Sequence, residues 1–78
     1  MEKRFILIQK EGKWLCIDTL HAISCEFEHK KFNETQKVEF MNEIEFEKED
    51  AVQIAQDAAK WISEMADWLR ANHYDKVL

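Results

Sequence analysis

The sequence predicts an α+β fold, in which a four-stranded antiparallel β-meander is followed by one long C-terminal amphipathic helix packed on one sheet face (ββββα). Two observations predict it. Apolar and polar residues alternate with a period of two up to about residue 46, and from about residue 48 the apolar residues recur with the helical period of 3.6. The 78 residues include no proline and one glycine, so we expect a single domain over 1-78.

The first two strands are expected to form a hairpin. The runs RFILIQK and KWLCID are rich in β-branched and aromatic residues. They flank the dipeptide EG, in which Gly12 supplies the positive φ that a tight hairpin turn requires. This pattern predicts strands over about 4-10 and 13-18.

Two further strands are expected before the helix. The segment AISCEFEH alternates strictly and predicts a strand over about 22-29. KKFNET is typical of a turn, because Asn33 tolerates left-handed backbone geometry. The segment QKVEFMNEIEF then predicts a strand over about 36-46, although Asn42 interrupts its apolar row and leaves a bulge or a turn as an alternative.

A single helix is predicted over about 48-72. Acidic residues near its start, and Arg70 and His73 near its end, suit the helix dipole. The final residues, YDKVL, are expected to pack weakly. The apolar stripe that should face the sheet has six members: Ala51, Ala55, Ala58, Ile62, Met65 and Leu69.

Trp61 and Trp68 lie two helical turns apart, at the rim of this stripe. Large aromatic residues at helical spacing usually pack, and here they would close the core over the sheet edge. Tryptophan is also enriched at the centres of protein interfaces. The sequence therefore allows both interpretations, a core role and a partner-binding role.

The first hairpin has more apolar residues than one helix can cover. Ile6 and Ile8 point to one side of the predicted sheet, and Trp14 lies in a strand that is also apolar on both sides. Contiguous exposed apolar side chains mark interaction surfaces. We expect these three residues to bind another protein or to form a homodimer, unless the segments DTLHA or YDKVL fold back over them.

The segment that runs from the last predicted strand into the start of the helix is strongly acidic. One interpretation is a solvated face that discourages edge pairing. The other is a surface that binds the basic groove of a nucleic-acid-binding protein, as an inhibitor would; small inhibitor proteins encoded by phages and mobile elements often have this size and acidity. The residues that would carry it are Glu39, Glu43, Glu45 and Glu47.

Charge and hydropathy exclude two classes of partner. The net charge is −5, and no cluster of Lys and Arg suits direct binding to a nucleic-acid backbone. The apolar run 5-8 is too short for a signal sequence or a membrane span. We therefore expect a cytoplasmic protein with neither a nucleic-acid ligand nor a membrane partner.

Catalysis and metal binding are not expected either. His21, Cys25 and His29 recur every four residues, but along a strand they would spread over about 27 Å, too far for a zinc site. In a reducing compartment Cys16 and Cys25 should be buried free thiols. A small thiol-dependent enzyme is the remaining alternative, since a cysteine and a histidine are the minimum for such chemistry. The expectation is a protein-binding module without catalytic, metal or cofactor-binding residues.

Overall fold

The structure, a computed structural model, describes residues 3-42 and 47-78. It confirms the α+β fold: a four-stranded antiparallel sheet in the order β1-β2-β3-β4, followed by a long helix. A 3-10 turn at Lys48–Asp50 leads into that helix. In chain order the elements are β1 Phe5–Lys10, β2 Lys13–Asp18, β3 Ile23–Glu28, α1 Phe32–Thr35, β4 Lys37–Phe40, α2 Ala51–Asn72 and α3 Tyr74–Val77.

The turn between β1 and β2 has the geometry that the sequence predicts. Glu11 has φ 51° and Gly12 has φ 81°, and two positive φ values are characteristic of the type I′ turn favoured in hairpins. The turn after β3 differs from the prediction. Its left-handed residue is Lys30, with φ 61°, whereas Asn33 lies inside the short helix α1. Helix α1 forms here because its first residue, Phe32, packs edge-on against Phe27 at 5.2 Å between ring centroids.

Strand β4 is shorter than predicted. It ends at Phe40, and Met41 and Asn42 form a bend, so at these two residues the alternative of a turn agrees with the structure and a continuous strand does not. Met41 N–H still donates to the Ala22 carbonyl at 2.8 Å, the last ladder bond before the bend. The bend coincides with the polar Asn42 that interrupts the apolar row. Residues 43-46 of the predicted strand lie outside the described residues.

The core lies between one sheet face and the second half of α2. The helix contributes Met65, Ala66 and Leu69 to it. From 51 to 64, all of which are described, no residue is buried, and Val52 is 67% exposed. A helix of 22 residues is about 33 Å long, whereas a six-residue strand spans about 20 Å. The helix is therefore longer than the sheet, and the first half of the predicted stripe is not buried against it. Within the described ranges, no helix is long and apolar enough to cross a membrane.

The C-terminal segment packs more tightly than predicted. After α2 ends at His73 the chain turns into α3, and Val77 is only 2% exposed within the core cluster. Lys30 N–H donates to the Lys76 carbonyl at 2.7 Å, which joins this segment to the loop after β3. The expectation of weak packing is wrong because the break at His73 lets Val77 reach the helix-covered side of the sheet.

Candidate functional site

An aliphatic patch covers part of the sheet face that α2 does not cover, which we call the open face. The β1–β2 register places Ile6 opposite Ile17 and Ile8 opposite Leu15. Ile6 is 41% and Ile8 42% exposed, and Leu15 and Ile17 are half-buried. These four residues, the aliphatic patch, are the largest group of adjacent aliphatic side chains on this face among the described residues. The alternation in β1 predicted that Ile6 and Ile8 share a face, but the sequence grouped them with Trp14 rather than with Leu15 and Ile17.

The other half of the open face is polar. In the β2–β3–β4 register, Ser24 and Glu39 extend the row that holds Ile6 and Ile17, and Glu26 and Lys37 extend the row that holds Ile8 and Leu15. Lys37 Nζ lies 2.8 Å from Glu39 Oε1. The hydrogen bond from Lys37 lowers the pKa of Glu39, and the same bond raises the pKa of Lys37. The open face thus changes from aliphatic on the first hairpin to charged and paired on the second.

Trp14 does not belong to the aliphatic patch. It lies on the helix-covered side, opposite Phe27 in the register. Its indole N–H donates to His29 Nδ1 at 3.2 Å, and Lys76 Nζ lies 5.5 Å from the ring centroid. The structure therefore separates Trp14 from Ile6 and Ile8, which the sequence placed in one group of candidates.

Trp61 and Trp68 are both half-buried. Trp61 stacks on the His21 imidazole, with 4.2 Å between centroids and 13° between planes. Trp68 lies 5.4 Å from Phe5 and 5.0 Å from His73 by ring centroids. Each indole thus packs along one margin of the sheet while part of its surface stays accessible.

A buried ionic cluster around Asp18 joins α2 to the sheet. The Asp18 side chain is fully buried, and Arg4 donates to its two oxygens at 3.2 and 2.9 Å. The Leu20 backbone N–H donates to it at 3.0 Å, and His21 Nδ1 lies 3.0 Å from Oδ2. Arg4 also reaches Glu64 on α2 at 2.6 Å. The Asp18 cluster is thus built by the end of β2, the residue before β1, the turn after β2 and helix α2.

The Asp18 cluster has a structural role. Burial raises the pKa of Asp18, but the hydrogen bonds from Arg4, His21 and the Leu20 N–H outweigh it, so the pKa lies below its ordinary value. The carboxylate is ionised at neutral pH, and both of its oxygens are engaged by protein groups. Sequence reasoning missed this cluster, because nothing in the local pattern around Asp18 indicates that Arg4 and Glu64 meet it.

The two cysteines are buried side by side. Cys16 and Cys25 are register partners on β2 and β3, and both are free thiols with no exposed surface. Burial raises the pKa of Cys16 to about 12 and that of Cys25 to about 11, so both thiols are protonated at neutral pH. Within 3-42 and 47-78, no three His, Cys, Asp or Glu side chains are grouped as a metal site would require.

The acidic candidates are only partly described. Glu39 lies on the open face and is paired with Lys37, as given above. Glu47 is exposed immediately before the 3-10 turn. Glu43 and Glu45 lie outside the described residues. The structure therefore brings none of these carboxylates together into one acidic surface in its described part.

A second candidate surface lies along the outer margin of β1, and sequence reasoning missed it. Two adjoining depressions, of about 480 and 260 Å³, lie between this strand and the end of α2. We call them together the edge groove, and its lining residues are Lys3, Arg4, Phe5, Ile6, Leu7, Trp68, Asn72 and His73. The prediction of Trp68 as a partner anchor was the one sequence signal that pointed toward this groove.

No family model matches this chain, and no curated protein or solved structure matches it either. Its function therefore has to be inferred from the aliphatic patch, the Asp18 cluster and the edge groove themselves.

Proposed function

We propose that this chain is a cytoplasmic protein-binding module that acts through the aliphatic patch of the open face, and that the partner on this face is a second copy of the chain. The observation that carries the proposal is the exposure of Ile6 and Ile8 beside Leu15 and Ile17. Adjacent exposed aliphatic side chains are typical of interaction surfaces. A domain this small also gains stability from oligomerisation.

The open face is self-complementary in its apolar half. A two-fold axis can lie between the two sheets, parallel to their faces and perpendicular to the strands. It passes between the row that holds Ile6 and Ile17 and the row that holds Ile8 and Leu15. It places Ile6 opposite Ile8 of the second copy, and Ile17 opposite Leu15 of the second copy. Two sheets packed in this way bury all four aliphatic side chains of each copy between them, in the aligned arrangement of a β-sandwich.

The same axis also pairs the charges. Lys37 and Glu39 occupy equivalent positions in the two rows, so Lys37 faces Glu39 of the second copy, and this contact occurs twice. Opposite charges that face each other at the rim fix the register of an interface and disfavour other registers. A second copy supplies both the aliphatic and the charged complement of this face, which favours it over an unrelated partner.

The area of the open face sets how stable the proposed dimer can be. Four strands about 4.8 Å apart and about 20 Å long have a projected area of roughly 380 Å². Stable interfaces bury about 800 Å² of accessible surface on each partner. We therefore expect a weak dimer whose population depends on protein concentration, rather than an obligate one.

Sedimentation equilibrium over a range of protein concentrations tests the proposal. The wild type should shift from monomer to dimer, and Ile8→Lys should weaken the dimer by at least about tenfold, because it places a cation in an apolar contact. Val52→Lys is the matched control, since Val52 is an exposed aliphatic residue on α2. A wild type that stays monomeric at every concentration, or an equal effect of the two variants, would contradict the proposal.

A charge exchange tests the geometry of the dimer. Lys37→Glu should weaken association by placing two carboxylates opposite each other across the axis, and the double variant Lys37→Glu with Glu39→Lys should restore it. The pair is exposed, so urea unfolding of all three proteins should differ little. Failure of the double variant to recover wild-type association would show that the two copies meet in another register.

The alternatives derived from sequence gain no support from the described residues. An inhibitor that binds a basic groove depends on Glu43 and Glu45, which are not described, and on Glu39, which Lys37 already engages. A thiol-dependent enzyme needs a reactive thiolate. The pKa values of Cys16 and Cys25 are raised by burial, which favours the inert thiol.

A further inference from the structure

The outer edge of β1 offers free backbone groups. Thr19 N–H donates to the Arg4 carbonyl at 2.8 Å, which makes this a hydrogen-bonded pair of the antiparallel ladder. Because hydrogen-bonded and non-hydrogen-bonded pairs alternate, the backbone groups of Phe5, Leu7 and Gln9 point away from β2. Strand β1 stands at the end of the sheet, and no described strand pairs with its outer side.

The edge groove lies directly beside these backbone groups. The side chains of Phe5 and Leu7 point to the helix-covered side, where they form one wall of the groove. Trp68 and His73 at the end of α2 form the other wall. A free strand edge next to an apolar pocket is the arrangement used for β-strand addition, in which backbone bonds give affinity and side-chain pockets give specificity.

The charges around the edge groove favour an acidic ligand. Lys3 is exposed at one end of β1 and Lys10 at the other. No acidic side chain is among the described residues that line the groove, although the whole chain has a net charge of −5. A segment with carboxylates near its ends would therefore meet cations at both ends of the strand.

We propose that the edge groove binds an extended acidic segment of another protein, which adds to the sheet along β1 and packs an apolar side chain against the contacting rings of Phe5 and Trp68. This site goes beyond the proposed dimer, and of the residues that line it only Ile6 also belongs to the aliphatic patch. The aliphatic patch points to the open face, whereas the groove opens beside β1 on the side of α2.

A second copy of β1 suits this edge less well than an acidic segment. The antiparallel register centred on Leu7 places Arg4 of one copy opposite Lys10 of the other and Lys3 opposite Glu11, so repulsive and attractive contacts offset each other and a second copy gives no net charge complement to this edge. Strand β4, at the opposite edge, has four residues and carries the Lys37–Glu39 pair, features that discourage strand addition. The β1 edge has neither feature between Phe5 and Ile8.

Binding of a labelled synthetic peptide to the full chain tests the proposal. The probe is a fluorescein-labelled peptide of about eight residues, long enough to span β1, in which glutamates alternate with valines around a central phenylalanine. Fluorescence polarisation should show saturable binding. The same peptide with lysine in place of glutamate should bind at least about tenfold more weakly. N-methylation of alternate backbone nitrogens on the pairing side should abolish binding, because it removes the donors that pair with the strand edge.

Protein variants locate the binding site. Lys3→Glu should weaken binding of the acidic peptide by about fivefold or more, whereas Lys60→Glu, an equal charge change at an exposed position of α2, should leave it within about twofold. Ile8→Thr should keep the peptide affinity, because Ile8 belongs to the open face and threonine adds no charge beside the glutamates of the peptide. If this variant still binds the peptide while its dimer is weakened, the two proposals are tested independently of each other.

Four outcomes would overturn the proposal. They are absence of binding by the acidic peptide, equal binding of the lysine peptide, equal effects of Lys3→Glu and Lys60→Glu, and undiminished binding of the N-methylated peptide.

Discussion

The two faces of the first hairpin differ in burial although they have similar composition. On the helix-covered side, Leu7 and Cys16 pair across the strands and contact the core, and Cys16 has no exposed surface. On the open face, Ile6 and Ile8 are about two-fifths exposed. Residue type does not distinguish the two sides. The position of α2 distinguishes them, because α2 covers one side and leaves the open face available for a partner.

The second hairpin shows what a sheet with one solvated face normally looks like. Its strand β3 buries Cys25 and Phe27 under the helix and places Ser24 and Glu26 on the open face. Residue type alternates strictly here, as expected when one face packs and the other is polar, although Ser24 is itself buried. The first hairpin departs from that alternation, and the departure is the reason for assigning the aliphatic patch a binding role.

The largest loss of folding stability is expected from a substitution on the helix-covered side of the sheet. Phe27 is fully buried and meets Phe32 edge-on, so Phe27→Ala should lower the free energy of unfolding by about 3–5 kcal/mol. Urea unfolding followed by circular dichroism measures it, and Phe27→Leu gives a milder variant if the alanine variant does not fold. A cost below about 1 kcal/mol for both substitutions would show that the core is elsewhere.

The second-largest loss of folding stability is expected in the Asp18 cluster, which joins α2 to the sheet. Asp18→Asn leaves Arg4 facing a neutral amide at a fully buried position, and we expect a loss of about 2–3 kcal/mol at neutral pH. Glu64→Gln, which changes only the more exposed partner of Arg4, should cost much less. Equal costs for the two variants would contradict the central place of Asp18.

The same cluster makes stability dependent on pH. The folded-state pKa of Asp18 is lowered, so its contribution is complete above its unfolded pKa of about 3.9 and is lost as the pH falls through the folded value. The stability difference between wild type and Asp18→Asn should therefore be constant near neutral pH and shrink below about pH 4. Urea midpoints measured from neutral pH into acid test this, and a difference that grows in acid would contradict the direction of the shift.

The sequence predicted those elements whose signal is local. Strands β1 and β2 are apolar runs on either side of a turn dipeptide, β3 alternates, and the period of α2 is continuous, so their positions followed from local patterns alone. The distribution of burial along α2 did not follow, because it depends on how far a long helix extends past a short sheet. Val77 was missed for a similar reason, since its burial depends on where the chain turns after His73.

The candidate sites divide in the same way. The aliphatic patch was predictable, because alternation in β1 fixes that Ile6 and Ile8 share a face. The Asp18 cluster and the edge groove were not, since each joins residues that are distant in sequence: Asp18 with Glu64 through Arg4, and Phe5 with Trp68. Periodicity gives the side on which a residue lies, but not which residue of another element it meets.

The tryptophans of α2 lie at the margins of the sheet, and a substitution at Trp61 measures how much one margin contributes to folding stability. Trp61 is half-buried and stacks on His21, so Trp61→Ala should cost about 1–2 kcal/mol of stability. This lies between the cost of about 3–5 kcal/mol for a core tryptophan and the value near zero for an exposed one. Urea unfolding decides among them, and Trp61→Phe, which keeps an aromatic ring on His21, should recover most of the loss.

The smallest effect on stability is expected on the open face. Ile8→Thr keeps a β-branched side chain in the strand, and Ile8 is already 42% exposed, so the free energy of unfolding of the monomer should change by no more than about 0.5 kcal/mol. Leu7→Thr, at the next position but on the covered side, should cost distinctly more, because it places a hydroxyl against the core. Association should respond in the opposite order, with Ile8→Thr weakening the dimer more than Leu7→Thr does. Substitutions at neighbouring residues of one strand would then affect different measurements: Leu7→Thr mainly unfolding in urea, and Ile8→Thr mainly sedimentation. Equal effects of the two substitutions on both measurements would contradict the distinction between the two faces.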